Sequence, residues 1–200
     1  MPGRHSRLLL VLLHGKGGSP SQFLSQPFFD TLAKLGARAP EVLLLDGGDD
    51  SYWHNRADGA WGSMVLREAI PAGISRTHAG RVAIGGISMG GYGALLLGSR
   101  NRGRFCAVGA QSPALWLSAG QTAPGAFDDA TDYARNDLFK LRPPLPLWID
   151  LGSSDPFRTA TLAYARRAHV HAHLRPGGHD SALWDAFMPQ FLRFFAGACV

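Results

Sequence analysis

Apolar residues fall along the chain in two alternating rhythms. Leu8 to Leu13, Val42 to Leu45, Val82 to Gly85, Phe105 to Ala110, Leu145 to Leu151 and Val170 to Leu174 are short, nearly continuous apolar runs. That is the pattern of strands buried on both faces. Between them lie stretches of helical periodicity: Ser21 to Leu35, with Ser21 as a cap and Phe28, Leu32 and Leu35 on one face, then Trp61 to Ala72, the run from Ala94, Arg158 to Ala168, and Ala182 to Phe195. Six strands alternating with helices predict an α/β fold, a mostly parallel sheet with helices on both faces. Only residues 112–144 break the alternation. Pro113, Gly120, Pro124 and Gly125 mixed with the charged Asp128 to Tyr133 segment predict a short lid-like insertion over the carboxyl edge of the sheet. With 200 residues, 46% apolar and 18% charged, the chain has the size and composition of one domain spanning 1–200.

The predicted strand Val82 to Gly85 runs into the helix at Ala94 through Gly86-Ile87-Ser88-Met89-Gly90, a G-x-S-x-G elbow. Glycines two residues either side of the serine let strand and helix approach, and Ser88 sits at a helix N-terminus, where the dipole favours developing negative charge. A helix N-cap serine is the plainer interpretation of Ser88. An acid and a histidine, each just after a predicted strand and in the order Ser, Asp, His, favour a nucleophile. The acid is Asp155, in Gly152-Ser153-Ser154-Asp155-Pro156; Asp150 competes with it but falls inside the apolar strand. The histidine is His179, in the glycine-rich loop before the last helix, where Asp180 serves as the helix cap. A neutral imidazole can take the serine proton while a carboxylate fixes its tautomer. For the oxyanion of acyl transfer, two backbone amides are candidates: that of Met89, and that of Lys16 in His14-Gly15-Lys16-Gly17-Gly18, with Gly17 as the alternative to Lys16. His14 is expected to hold this loop rather than to act in the chemistry. Tyr52 and Trp53 after the second strand, with Trp116 and Phe127 in the insertion, are candidates for lining an apolar acyl or aryl pocket.

Other features exclude more than they add. The net charge of +5 comes mostly from arginine, but no basic run resembles a nucleic-acid arm, so it reads as general surface character. His169, His171 and His173 recur at i, i+2, i+4, but residues two apart on a strand are about 6.5–7 Å apart, too far to share one small ion, and no metal or cofactor is implied. Asp49-Asp50 lacks the alternating ligands of a calcium loop. Cys106, in a predicted strand, and the penultimate Cys199 are expected to be free thiols. Arg4-His5-Ser6-Arg7 before the apolar Leu8 to Leu13 mimics a leader, but the run is too short and reads as the first strand. With no run long enough to span a bilayer, the expectation is a cytoplasmic protein without stable membrane insertion.

The whole chain resembles the esterase family of the α/β-hydrolase superfamily that includes esterase D and the mycobacterial antigen 85 mycolyltransferases. The likeness rests on Gly86-Ile87-Ser88-Met89-Gly90-Gly91-Tyr92-Gly93-Ala94, on Ser112-Pro113-Ala114-Leu115-Trp116, on Gly177-Gly178-His179-Asp180 with Trp184, and on Leu12-Leu13-His14-Gly15-Lys16. It implies an α/β-hydrolase fold, reduced to about six strands, and supports the Lys16 amide as the second oxyanion donor. The expected activity is that of a serine carboxylic ester hydrolase on small-molecule esters of short to medium chain, through Ser88, His179 and Asp155. An acyltransferase of the mycolyltransferase-like type, or a noncatalytic binding protein on the same scaffold, is the alternative; the short insertion argues against long-chain acyl specificity.

Overall fold

A computed structural model describes residues 7–200; the leader-like Arg4-His5-Ser6 lies outside them. Six strands, β1 (Leu8–Leu13), β2 (Glu41–Leu45), β3 (Arg81–Ile87), β4 (Val108–Gln111), β5 (Leu147–Gly152) and β6 (Ala172–Arg175), form one parallel sheet in the order β2-β1-β3-β4-β5-β6. The strand order reverses at β1 and β3, so the loops leaving their carboxyl ends diverge around a crevice. Both of those loops carry residues singled out above.

The continuous apolar strands follow from burial on both sides. Leu8, Leu10 and Leu12 of β1 face one layer with Phe28, Phe191 and Phe195, while Leu9, Val11 and Leu13 face the other with Val65, Leu95 and Tyr164. The first layer is α1 (Gln26–Leu35) and α6 (Ser181–Ala198); the second is α2 (residues 61–77), α3 (Met89–Arg100) and α5 (Arg158–Ala168). A short helix, α4 (Ala130–Asn136), lies in the insertion.

Several boundaries differ from the sequence expectation for local reasons. The stretch from Ser21 splits into a 3-10 turn, Pro20–Phe23, and α1, whose cap position is Ser25 rather than Ser21. Pro27 fits the first turn of α1, where a missing N–H costs no helical hydrogen bond. α2 runs on past Ala72 and widens to a π turn at Val65–Ala69 just before Pro71, which cannot donate to the preceding turn. The fourth strand starts at Val108, not Phe105, and the sixth at Ala172, not Val170.

The free-thiol expectation is overturned: Cys106 and Cys199 form a disulfide, with Cα atoms 5.4 Å apart. Because β4 starts late, Cys106 lies in the segment entering the sheet from its amino edge, and α6 ends at that same edge. The bond closes a separation of 93 residues, so replacing Cys199 by serine is expected to lower stability by about 2–5 kcal/mol. Denaturant unfolding of the variant beside oxidised wild type measures this, and an unchanged midpoint would refute it.

Candidate active site

Ser88 follows β3 directly, with φ 54° and ψ −113°, a conformation that non-glycine residues adopt only under constraint. The constraint is the elbow itself. A Cβ at Gly90 would collide with the Leu13 carbonyl, and one at Gly86 with the Gly90 backbone, so only glycine lets α3 start against β1 and β3. Ser88 occupies the N-cap position of α3, yet its side chain makes no capping bond. Its hydroxyl instead lies 2.8 Å from His179 Nε2. The plain N-cap role therefore does not describe this serine.

His179 Nδ1 lies 2.9 Å from Asp155 Oδ2. The other carboxylate oxygen accepts the Phe157 N–H at 2.8 Å, which fixes the carboxylate's plane. An ionised Asp155 can only accept, so Nδ1 carries the imidazole proton and Nε2 is left to accept from the Ser88 hydroxyl. Phe157 and Trp184 meet the His179 ring edge-on from two sides, with centroids 5.1 and 5.4 Å away. Trp184 belongs to the histidine-turn motif on which the family resemblance rests, whereas Phe157 was not singled out from the sequence. Only Phe157's place two residues after Asp155 could have drawn attention to it. Asp180 caps α6 by accepting the Leu183 N–H, as expected.

Asp150 lies within β5 and is buried away from His179, bonded instead to the Trp148 indole N–H at 2.6 Å. Burial pushes its carboxyl well above the usual carboxylate range, against the lowering effect of its Trp148 and Gln111 partners. A raised folded-state value means that Asp150 favours folding in its neutral form. Its contribution is full below the unfolded value near 3.8 and is lost as pH rises through the higher folded value. Asp150→Asn should therefore gain stability relative to wild type as pH rises from 5 to 9, read as a growing difference in denaturation midpoint. A pH-independent difference would contradict this account.

The loop after β1 passes over Ser88: a Cβ on Gly15 would lie 3.3 Å from the Ser88 Cβ. Its amides are divided by their partners. Gly15 N–H donates to Gln22 Oε1 and Gly17 N–H to the Asp49 carbonyl, each at 2.7 Å, which removes Gly17 as a free donor. Among the described residues the Lys16 and Met89 N–H groups have no acceptor. The Lys16 ammonium points elsewhere, to the Pro124 carbonyl at 2.8 Å. His14 is fully buried; its Nε2 accepts the Gly47 N–H, so Nδ1 carries the proton and donates to the Gly15 carbonyl at 2.8 Å. It ties the loop to the start of the β2 exit loop.

The aromatic candidates separate. Trp53 is 0% exposed, donates its indole N–H to the His14 carbonyl, and lies so close that a Cβ on Gly47 or Gly93 would strike its ring. It is a core residue beneath the loops, not a pocket wall. Tyr52 and Trp116 are nearly buried and pack on each other and on Phe127, and Trp116 meets Phe157 beside His179. Loss of solvation pushes the Tyr52 hydroxyl up to about 12, with Asp50 adding to the effect, so it stays protonated at any ordinary pH.

The insertion is strapped down over this edge. Arg56 donates to the Asp50 and Gly125 carbonyls at 2.6 Å each and to Asp128 at 3.2 Å, and buried His54 meets Asp132 of α4 at 2.9 Å. The three histidines do not form one strand face. His169 ends α5 in a left-handed turn, and His173 stacks on Trp148 at 3.8 Å.

A family profile described as "Putative esterase" matches residues 66–195. Among solved structures, a ferulic acid esterase is 20% identical with a TM-score of 0.74, covering 98% of this chain and 87% of that one. An S-formylglutathione hydrolase from Agrobacterium tumefaciens is 19% identical with a TM-score of 0.75, over 98% of this chain and 85% of the other. Mycobacterium tuberculosis MPT51 is 17% identical with a TM-score of 0.69, over 98% and 91%. At these identities the likeness establishes the α/β-hydrolase fold.

Proposed function

The chain belongs to the "Putative esterase" family, and from that premise we propose that it is a serine carboxylic ester hydrolase in which Ser88, His179 and Asp155 work as a triad through an acyl-enzyme. The observation that carries this reading is the continuous hydrogen-bonded line from the Ser88 hydroxyl through both nitrogens of His179 to Asp155.

In the first half-reaction the Ser88 Oγ attacks the ester carbonyl carbon while its proton passes to His179 Nε2. Asp155 holds Nδ1–H and stabilises the imidazolium that forms. The carbonyl oxygen becomes an oxyanion, and the Met89 and Lys16 N–H groups, which have no acceptor of their own, are placed to receive it. The tetrahedral intermediate collapses, the C–O bond to the alcohol breaks, and Nε2–H protonates the departing oxygen. Water then repeats the sequence on the acyl-enzyme, with Nε2 as base, and releases the acid. In this reading Trp116, which meets Phe157 beside His179, lines the side of the site that takes short acyl or aryl groups, with Tyr52 and Phe127 packed behind it. The Cys106–Cys199 bond favours an oxidising compartment over the cytoplasm.

Asp155→Asn is expected to lower kcat by about 10³- to 10⁴-fold with little change in KM, because the amide presents the wrong tautomer to His179. The test is hydrolysis of p-nitrophenyl acetate, butyrate, octanoate and palmitate by wild type and this variant, with added alcohol to reveal transfer. Retention of wild-type turnover in Asp155→Asn would overturn the assignment. New ester in place of free acid would move the reading to an acyltransferase.

A further inference from the structure

The net charge is segregated by the sheet. In a parallel sheet every strand enters at one edge and every covering helix ends there, and the segments at that edge carry Arg100, Arg102, Arg104, Arg142, Arg166 and Arg167, all exposed. Residues 100–106, 137–147 and 165–170 include a single carboxylate, Asp137, which lies 3.8 Å from Lys140. The opposite, carboxyl edge exposes Asp46, Asp49, Asp58, Asp128 and Asp129 against the exposed cations Lys16 and Arg158.

Complementing a helix dipole accounts for Arg100, Arg166 and Arg167, each in the last turn of α3 or α5. It does not account for Arg102, Arg104 and Arg142, which lie in loops. Arg102, Arg104 and Arg167 are held by neutral carbonyls, those of Pro143, Leu66 and Leu141, so they are ordered while their charge remains uncompensated. Among them stands Leu145, 61% exposed, which shares a small depression with Arg102 and Pro144. A soluble polyanion has no use for an exposed leucine between arginines. A bilayer does: basic side chains meet acidic headgroups while an apolar one enters the interface.

We propose that this amino edge is a docking surface for an anionic lipid bilayer, on which the protein adsorbs reversibly with its triad turned away from the membrane. Such adsorption needs no spanning helix, and no helix among the described residues is long and apolar enough to be one.

The test is co-flotation of the full chain with vesicles of phosphatidylcholine alone or with about one-third phosphatidylglycerol, at low and at 0.5 M salt. The expected result is binding only to the anionic vesicles, lost at high salt. Arg142→Ser/Arg166→Ser should weaken it at least about tenfold, since each basic residue near such a surface contributes on the order of a factor of five. Leu145→Ser should weaken it a few-fold. All three changes lie far from Ser88, so turnover of a soluble ester should match wild type and certify the fold. Absence of flotation, unchanged flotation of the arginine variant, or binding to heparin or DNA but not to vesicles would each overturn the proposal.

Discussion

Ser88→Ala should abolish ester hydrolysis, lowering kcat/KM by about 10⁴- to 10⁶-fold while leaving the fold intact. The size of the loss follows from the geometry. Ser88 Oγ alone bonds to His179 Nε2, so no other hydroxyl stands ready to accept the acyl group in its place. The effect should not add to that of His179→Ala. If the two side chains act as a unit, the double variant is no slower than either single one, within a few-fold. Steady-state rates on p-nitrophenyl butyrate for the two single variants and the double decide this. Multiplicative losses would mean that the two side chains act independently. Ser88→Ala has no structural penalty to confuse the result, because the hydroxyl makes no capping bond to α3.

Among the described glycines, Gly90→Ala should be the most damaging change. The added Cβ would fall inside van der Waals contact of the Leu13 and His14 carbonyl groups. Those atoms belong to β1 and its exit loop, which cannot yield as a flexible side chain would. Either α3 lifts from the sheet or the loop carrying Lys16 moves. A loss of at least about 3 kcal/mol is expected, at the upper end of what overpacking usually costs. Esterase activity should fall even in molecules that remain folded, because both routes of relief displace one of the two amides facing Ser88. Thermal unfolding together with turnover per folded molecule checks both parts. Wild-type stability in Gly90→Ala would show that the elbow is looser than described.

The alternation of apolar runs with helical periodicity was legible because the central strands are buried on both faces, leaving β1 as the unbroken Leu8–Leu13, while the edge strands β2 and β6 are only partly buried. Ser88 and His179 stood out because strand, glycine-rich turn and helix are contiguous in sequence at each of them. Choosing Asp155 over Asp150 needed only the end of β5, since Gly152 closes the strand with Asp150 still inside it. Other features depended on backbone turns that no local pattern announces. Tyr52 and Trp53 have φ of 45° and 57°, and those left-handed turns accompany the burial of Trp53 under the loops, where the sequence reading has it lining the pocket. The Cys106–Cys199 pairing required knowing where α6 ends relative to β4. The division of charge between the two sheet edges required the strand directions, because the arginines are scattered in sequence and gather only when the sheet is assembled.

The most direct test of the account is mass-spectrometric mapping of the site labelled by a fluorophosphonate in the folded protein. The account predicts one adduct per chain, on the peptide carrying Ser88, formed rapidly in wild type and at a rate reduced by orders of magnitude in His179→Ala. Absence of an adduct, an adduct on another residue, or equal labelling rates with and without His179 would contradict it.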